Sequence, residues 1–263
     1  MPKSLSLFII FTCLLAGFSS CSDNENTEEL KVSLTSAKLK LAENQVIEII
    51  SGNGEYTIVS DNKDIVDATI ETSTIYLSPK KLGSAKLTLK DKLNKEIVID
   101  ITVIDRYLIL STNMREAIVV ANSDRKEEIA DDILKNAFLP KAYAYKLIAN
   151  EKKVFSVHQN SSTSTVAKGT YSFNTDDGIY YMKLYYDNNE FIYEISSEGD
   201  GAMFYQYFNR RIGYNKTSVP VQRHIKLTED LTQKYKEKYP DAGIESAKIE
   251  IITTIHEKIS ALE

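Results

Sequence analysis

Near the C-terminus, Ala247, Ile249, Ile251, Thr253 and Ile255 alternate with Lys248, Glu250 and Thr254. A strict period of two puts the first set on one face of an extended chain and the second on the other, which is the pattern of a half-buried strand. The same period recurs in Ile97, Ile99, Ile101 and Val103 against Val98, Asp100 and Thr102, and in Ala85, Leu87 and Leu89 against Lys86, Thr88 and Lys90, with Asp91-Lys92-Leu93-Asn94 as the hairpin connection. Further strands are predicted at Val46–Ile50, Tyr56–Ser60 and Thr74–Leu77. Residues 30–106 therefore read as short strands and turns, the pattern of a β-sandwich.

Residues 107–263 mix two periods. Ile129, Ile133, Leu134, Ala137 and Phe138 fall on one helical face after an Asp124-Arg125-Lys126-Glu127 capping-box pattern, and Pro140 ends the run. Leu231, Tyr235 and Tyr239 form the stripe of a second helix, stopped by Pro240 to Gly243. Between the helices, Gly169–Phe173, Ile179–Tyr186, Glu190–Ser196 and Ala202–Phe208 read as strands of an antiparallel meander, with turns at Asp176-Asp177-Gly178 and Asp187-Asn188-Asn189. The fold class is mainly β: a sandwich, then an α+β domain of a β-meander and two helices, either open or closed into a helix-decorated barrel.

Two stretches carry resemblances. Gly54-Glu55-Tyr56, Ser60-Asp61-Asn62, Ile65-Val66-Asp67-Ala68, the run Leu82 to Asp91 and the closing strand Ile97–Ile104 resemble a bacterial Ig-like domain. That resemblance implies a spacer or adhesive module and assigns no functional residue. The chain has no Trp and only two Cys, so it lacks the Trp and disulfide of antibody-type Ig domains. Lys168-Gly169-Thr170-Tyr171, leading into hairpins, is weakly similar to bacterial lipocalin-like domains. This implies a closed meander that carries a small apolar ligand.

The N-terminus predicts a location. Lys3 precedes a 14-residue apolar run, Leu5 to Phe18, followed by Ser19, Ser20 and Cys21. A run of this length is short for a membrane span and suits the core of a secretory signal. Small residues before a cysteine at this point resemble the lipobox of bacterial lipoproteins, which makes Cys21 the lipid-bearing residue and 1–20 the signal peptide. Residues 22–29, Ser-Asp-Asn-Glu-Asn-Thr-Glu-Glu, have no apolar side chain and read, with Cys21, as an acidic tether. Acidic residues directly after the cysteine resemble the export signal of Bacteroidota surface lipoproteins. The expectation is an outer-membrane protein, held by lipid on Cys21 and facing the exterior.

Lys+Arg total 32 against Asp+Glu 37, a net charge of −5, so no bulk electrostatic case exists for a nucleic-acid partner. Two cysteines supply neither a disulfide framework nor a cysteine zinc site. The histidines, His158, His224 and His256, are scattered, and the His256-Glu257 pair meets Ser260 where a helical zinc motif needs a second His. No catalytic, metal or cofactor-binding constellation is found, and the chain reads as a non-catalytic protein. What stands out is tyrosine. Residues 171–214 hold nine of the 16 tyrosines and four of the nine phenylalanines. In the run Ile179–Tyr186, Tyr180, Met182, Leu184 and Tyr186 share one face while Ile179, Tyr181, Lys183 and Tyr185 share the other. Both faces are aromatic, so either both are covered or one presents tyrosines outward. Outward tyrosines suit a glycan or a protein partner, because the ring packs on apolar surface and the hydroxyl hydrogen-bonds. Tyr181, Tyr185, Tyr205 and Tyr207 are the candidate ligand-binding residues. The competing expectation is that these rings form the core and its cross-strand pairs. Besides the binding module, two readings stay open: the lipocalin-like carrier, and a structural subunit of a surface assembly.

Overall fold

A computed structural model describes residues 27–139, 143–159, 164–195, 204–205, 207–208 and 223–256. The chain is mainly β, built as a sandwich followed by a closed barrel. The sandwich holds β1 (Lys31–Val32), β2 (Ser36–Lys40), β3 (Gln45–Ser51), β4 (Thr57–Ser60), β5 (Val66–Glu71), β6 (Thr74–Pro79), β7 (Gly83–Lys90) and β8 (Glu96–Ile104). One sheet runs β1-β3-β6-β5 and the other β2-β8-β7-β4. The alternation seen in the sequence sets the packing: Leu87, Leu89, Ile99 and Ile101 from one sheet meet Ile47, Ile75 and Leu77 from the other, all essentially excluded from solvent. β2 joins its sheet parallel to β8, pairing Ser36 with Asp100 and Lys40 with Ile104. The Asp91 turn is tied by its own carboxylate, which accepts from the Leu93 and Lys95 amides (2.9 and 3.0 Å) and from the Asn53 side chain (2.6 Å). Asn53 also pairs with the backbone of Glu28, fixing the point where the chain enters the sandwich.

A single residue, Asp105, separates β8 from β9 (Arg106–Ala121), the first barrel strand. The barrel continues with α1 (Lys126–Asn136), β10 (Tyr143–Ala149), β11 (Val154–Gln159), β12 (Thr165–Asp176), β13 (Ile179–Tyr186), β14 (Asn189–Ile195), β15 (Arg223–Asp230), α2 (Thr232–Lys238), a 3-10 turn at Pro240–Ala242 and β16 (Ile244–His256). Strands β10 to β16 follow one another around the wall, all antiparallel, and β9 closes the ring by pairing with both β10 and β16. Of the two topologies open at the sequence level, the closed barrel is the one formed. The long β16 pairs with β9 from Ile244–Ala121 to His256–Ile109. Ala247, Ile249, Ile251, Thr253 and Ile255 all turn inward and are buried, as their period requires.

Several expectations are corrected. Ala202–Phe208 is not a strand where it is described: Phe204, Tyr205, Tyr207 and Phe208 are helical. Phe204 and Phe208 are four residues apart and both reach Phe173, with ring centroids 5.7 and 4.9 Å away, while Tyr205 is exposed. That spacing belongs to a helix of period 3.6. The Asp124–Glu127 capping box is not made either. Arg125 occupies the N-cap without a side-chain cap bond, and its guanidinium forms a two-pronged pair with Glu128 (2.8 Å each) beneath the Tyr239 ring. Helix α1 ends at Asn136, Ala137 is extended, and the bend at Phe138 and Leu139 carries both side chains onto the barrel core. There Phe138 stacks on Phe191 at 4.3 Å and meets Phe155 edge-on at 6.2 Å.

Candidate binding surface

Among the described residues, the barrel interior is filled. Leu108, Leu110, Tyr145, Leu147, Phe155, Tyr171, Met182, Leu184, Tyr193, Ile225, Leu227 and Ile251 interdigitate across it, and Ile129 and Ile133 of α1 with Tyr235 of α2 close it. The space left among Leu110, Leu139, Tyr145, Leu147, Phe155, Met182, Leu184, Leu227 and Thr253 is about 10 Å3. That is room for about one water and far below the several hundred Å3 of a small-molecule site. A packed interior removes the structural basis of the carrier reading. Gly169 shows how tightly the wall is drawn: a Cβ there would lie 2.2 Å from the Tyr185 carbonyl and 2.6 Å from the Phe155 ring.

The candidate tyrosines are therefore sought on the outer surface. On β13, Met182 and Leu184 point in, so Ile179, Tyr181, Lys183 and Tyr185 point out. The ladders set their neighbours: Tyr181 lies between Asn174 and Glu194, Lys183 between Ser172 and Ile192, and Tyr185 between Thr170 and Glu190. Tyr185, Ile179 and Ile192 are exposed and Tyr181 is half-buried. Two residues of β-rise separate Tyr181 from Lys183 and two more reach Tyr185, so the tyrosines stand about 13 Å apart along one strand. A hydrogen bond from Tyr185 and the ion pair with Lys183 (3.3 Å) hold the Glu190 carboxyl below the usual carboxylate range. The surface thus presents two rings amid hydroxyl, amide, carboxylate and ammonium groups on three adjacent strands.

The other two candidate tyrosines do not join it. Tyr205 is exposed but sits in the helical turn, against Tyr180 at 5.9 Å. Tyr207 is buried at the junction of sandwich and barrel. Its hydroxyl donates toward Glu43 Oε1 (2.9 Å) and the Tyr107 carbonyl (3.1 Å), and the Arg106 guanidinium lies over its ring. Tyr207 is thus a contact between domains. Cys21 lies outside the described residues.

The histidines are spread over the wall. Two of them join hydroxyl networks: His224 Nδ1 lies 3.0 Å from Thr254 Oγ1 and 3.3 Å from Asn113 Nδ2, and His158 Nε2 lies 2.8 Å from Ser156 Oγ. Among the described residues no three His, Cys, Asp or Glu side chains form a group able to hold a metal. One titratable group missed by the sequence reading is Glu229. It follows the inward residues Ile225 and Leu227 by alternation and stands near Tyr193, whose side chain is fully buried. Burial pushes the Glu229 carboxyl up to about 7, against the opposing pull of Lys234 and Tyr193. An acidic residue on the inner period of a strand was the available signal.

No family model and no curated protein matches this chain. Among solved structures, it is similar to domains 5-6 of the S-layer protein SbsC at 11% identity, over 85% of this chain and 96% of that one, with a TM-score of 0.27. It is also similar to SbsC domains 4 and 5 at 20% identity, over 30% of this chain and 52% of that one, with a TM-score of 0.26. The match thus spans about half of the latter. At such TM-scores the likeness carries neither fold nor function to this protein.

Proposed function

We propose that this protein is a lipid-anchored outer-membrane surface protein that acts as a non-catalytic binding or adhesion module for a glycan or a protein partner. Lipid on Cys21 would hold the chain at the membrane, the acidic tether would follow, and the sandwich would lift the barrel away from the bilayer. The observation that carries the binding reading is the outward pair Tyr181 and Tyr185 on a barrel whose interior is already filled. With the described interior packed, this reading places the ligand on the outside. A ring face beside hydrogen-bonding groups such as Asn174, Glu194, Thr170 and Glu190 offers what a pyranose needs, an apolar platform rimmed by donors and acceptors.

The test is a thermal-shift screen of the full-length chain in detergent against glycans. A ligand at 100 times its dissociation constant adds about 2.7 kcal/mol, a rise of about 5–10 °C at this size. The double variant Tyr181→Ala, Tyr185→Ala is expected to keep its unliganded melting point within a few degrees and to lose the shift. An unchanged shift in that variant would overturn the assigned face. For the anchor, Cys21→Ser should abolish incorporation of labelled fatty acid, and protease added to intact cells should remove the wild-type protein. Full protection from protease would sink the outward-facing location.

A further inference from the structure

The barrel wall is joined unevenly at β9. On one side β9 is paired with β10 only from Arg106 to Ser111, whereas on the other it is paired with β16 as far as Ala121. Among the described residues, no strand lies beside β9 beyond Ser111 on the β10 side. The change comes at an irregularity. Thr112 faces Thr253 and Met114 faces Ile252, which leaves Asn113 as the extra residue of a bulge.

Strand register fixes which groups this edge presents. Continuing the β15 ladder, the Leu231 amide donates to the Ala247 carbonyl (2.9 Å), so odd-numbered residues of β16 turn their backbone groups to β15 and even-numbered ones to β9. Met114, Glu116, Ile118 and Val120 therefore bond to the β16 ladder, opposite Ile252, Glu250, Lys248 and Ser246. Arg115, Ala117 and Val119 aim their N–H and C=O groups the other way, along the open edge. Side chains divide in the same manner. Ala117 and Val119 pack with Ile129 and Ile133 of α1, and the Arg115 guanidinium donates to the Leu134 carbonyl (3.0 Å). Met114, Glu116, Ile118 and Val120 point outward and are exposed.

An open edge is a template for another strand unless something blunts it. The sandwich blunts its β5 edge: the Ala68 amide donates to the Asp67 carboxylate (3.1 Å), which also takes the Lys80 ammonium (3.0 Å). On β9, three of the four outward side chains are apolar, and the fourth is short of a cation. Glu116 stands opposite Glu250, and Glu250 is the one paired with Lys226 (2.8 Å). Lys248, one pair further along, stands opposite Asp230. The row thus sets two carboxylates side by side with one ammonium, so a strand added beyond Glu116 gains from carrying a cation there.

We propose that the Arg115–Val119 edge of β9 docks an extended segment of a partner protein, which adds to the wall as an antiparallel strand. Its backbone bonds to Arg115, Ala117 and Val119. A Lys or Arg of the segment faces Glu116, between apolar side chains facing Met114 and Ile118. Main-chain bonds of this kind supply affinity, and the alternate side chains supply the choice of partner. From Met114 to Val120 the edge runs about 20 Å, the length of an ordinary strand. β13 lies four strands away in either direction around the ring, so the site is separate from the tyrosine face and stands whether or not that face binds.

The probe is a synthetic peptide that alternates Thr with Ile, Ile, Lys and Ile, to face Val120, Ile118, Glu116 and Met114 in antiparallel order. It is N-methylated along its far edge so that it cannot stack on itself. Residue-resolved hydrogen exchange of the full-length chain in detergent is expected to be fast at Ala117 and Val119 and slow at Glu116 and Ile118, whose amides lie in the β16 ladder. Adding the peptide should protect Ala117 and Val119. A peptide with its Lys replaced by Glu should bind at least fivefold more weakly, and Glu116→Lys, an exposed substitution, should reverse that preference. Tyr181→Ala, Tyr185→Ala should bind as wild type does. Slow exchange at Ala117 and Val119 in the free protein at every concentration would show a covered edge and overturn the proposal. Protection that grows with protein concentration would make a second copy the occupant and overturn the partner segment. No binding, binding without protection of Ala117 and Val119, or equal binding of the Lys and Glu peptides would overturn it as well.

Discussion

Replacing Glu229 by glutamine removes a largely desolvated carboxyl at the end of the inward row on β15, beside the Tyr193 hydroxyl and near Lys234 and Tyr235 of α2. The folded state raises this group from 4.5 to about 7, chiefly by burial. The sign follows from linkage. Below pH 4.5 the carboxyl is protonated in both folded and unfolded chains and costs nothing. Between 4.5 and 7 the unfolded chain releases its proton first, so stability falls as pH rises. Above 7 both forms are ionised and the loss is complete. A displacement of this size corresponds to up to about 3 kcal/mol. Glutamine keeps the shape and cannot ionise, so E229Q is expected to be more stable than wild type at pH 8 by up to about 3 kcal/mol and equal to it near pH 4. Urea unfolding of both proteins from pH 4 to 8 measures this, and the difference curve isolates Glu229 from the other titrating groups. That subtraction matters because His256, held below its usual value by burial, gives a slope of opposite sign as pH falls through 6.5. A difference curve flat across pH 4.5–7, or E229Q less stable than wild type at pH 8, would refute the reasoning.

Gly169→Ala places a Cβ against the Tyr185 carbonyl and the Phe155 ring, so β12 must shift away from β13; overpacking of this kind costs about 1–3 kcal/mol, readable as a lower urea midpoint with an unchanged slope. Tyr207→Phe removes the hydroxyl shared by Glu43 Oε1 and the Tyr107 carbonyl, and should cost about 1–2 kcal/mol and speed proteolysis at Asp105, while no change in either would deny it a role in joining the domains. Phe138→Ala should cost about 3 kcal/mol by emptying the barrel mouth where Phe191, Tyr186 and Phe155 meet, and increased binding of a hydrophobic dye would report the opened interior.

Strands with one wet face were legible in the sequence. Ile179–Tyr186 emerges at the bounds its period predicts, and β7, β8 and β16 extend theirs by only one to three residues, because alternation survives wherever one side meets solvent. The start of β9 was not legible. Arg106, Tyr107, Leu108, Ile109 and Leu110 are all buried, Leu108 and Leu110 inside the barrel and Tyr107 and Ile109 in a separate outer cluster with Ala144. A strand covered on both faces has no period to read. β10 and β11 were missed for a related reason. Ala144 and Tyr145 are adjacent and both buried, as are Val157 and His158, so apolar and polar residues do not sort by face.

The candidate sites divide along the same line. Tyr181 and Tyr185 could be named because Met182 and Leu184 forced them outward, a relation within one strand. The meeting of Lys40 and Lys146 over the Tyr107 ring could not be named, because the two lysines lie in different domains. Their meeting depends on the one-residue join at Asp105, which leaves β8 and β9 little freedom to reorient, and on the Tyr207 contact that ties the helical turn back to Glu43. A longer linker would let the two domains separate and break these contacts. Inserting four Gly-Ser residues at Asp105 should therefore speed proteolysis between the domains while leaving a ligand of the β13 face unaffected. An unchanged rate of cleavage would show that the short join does not hold the domains together.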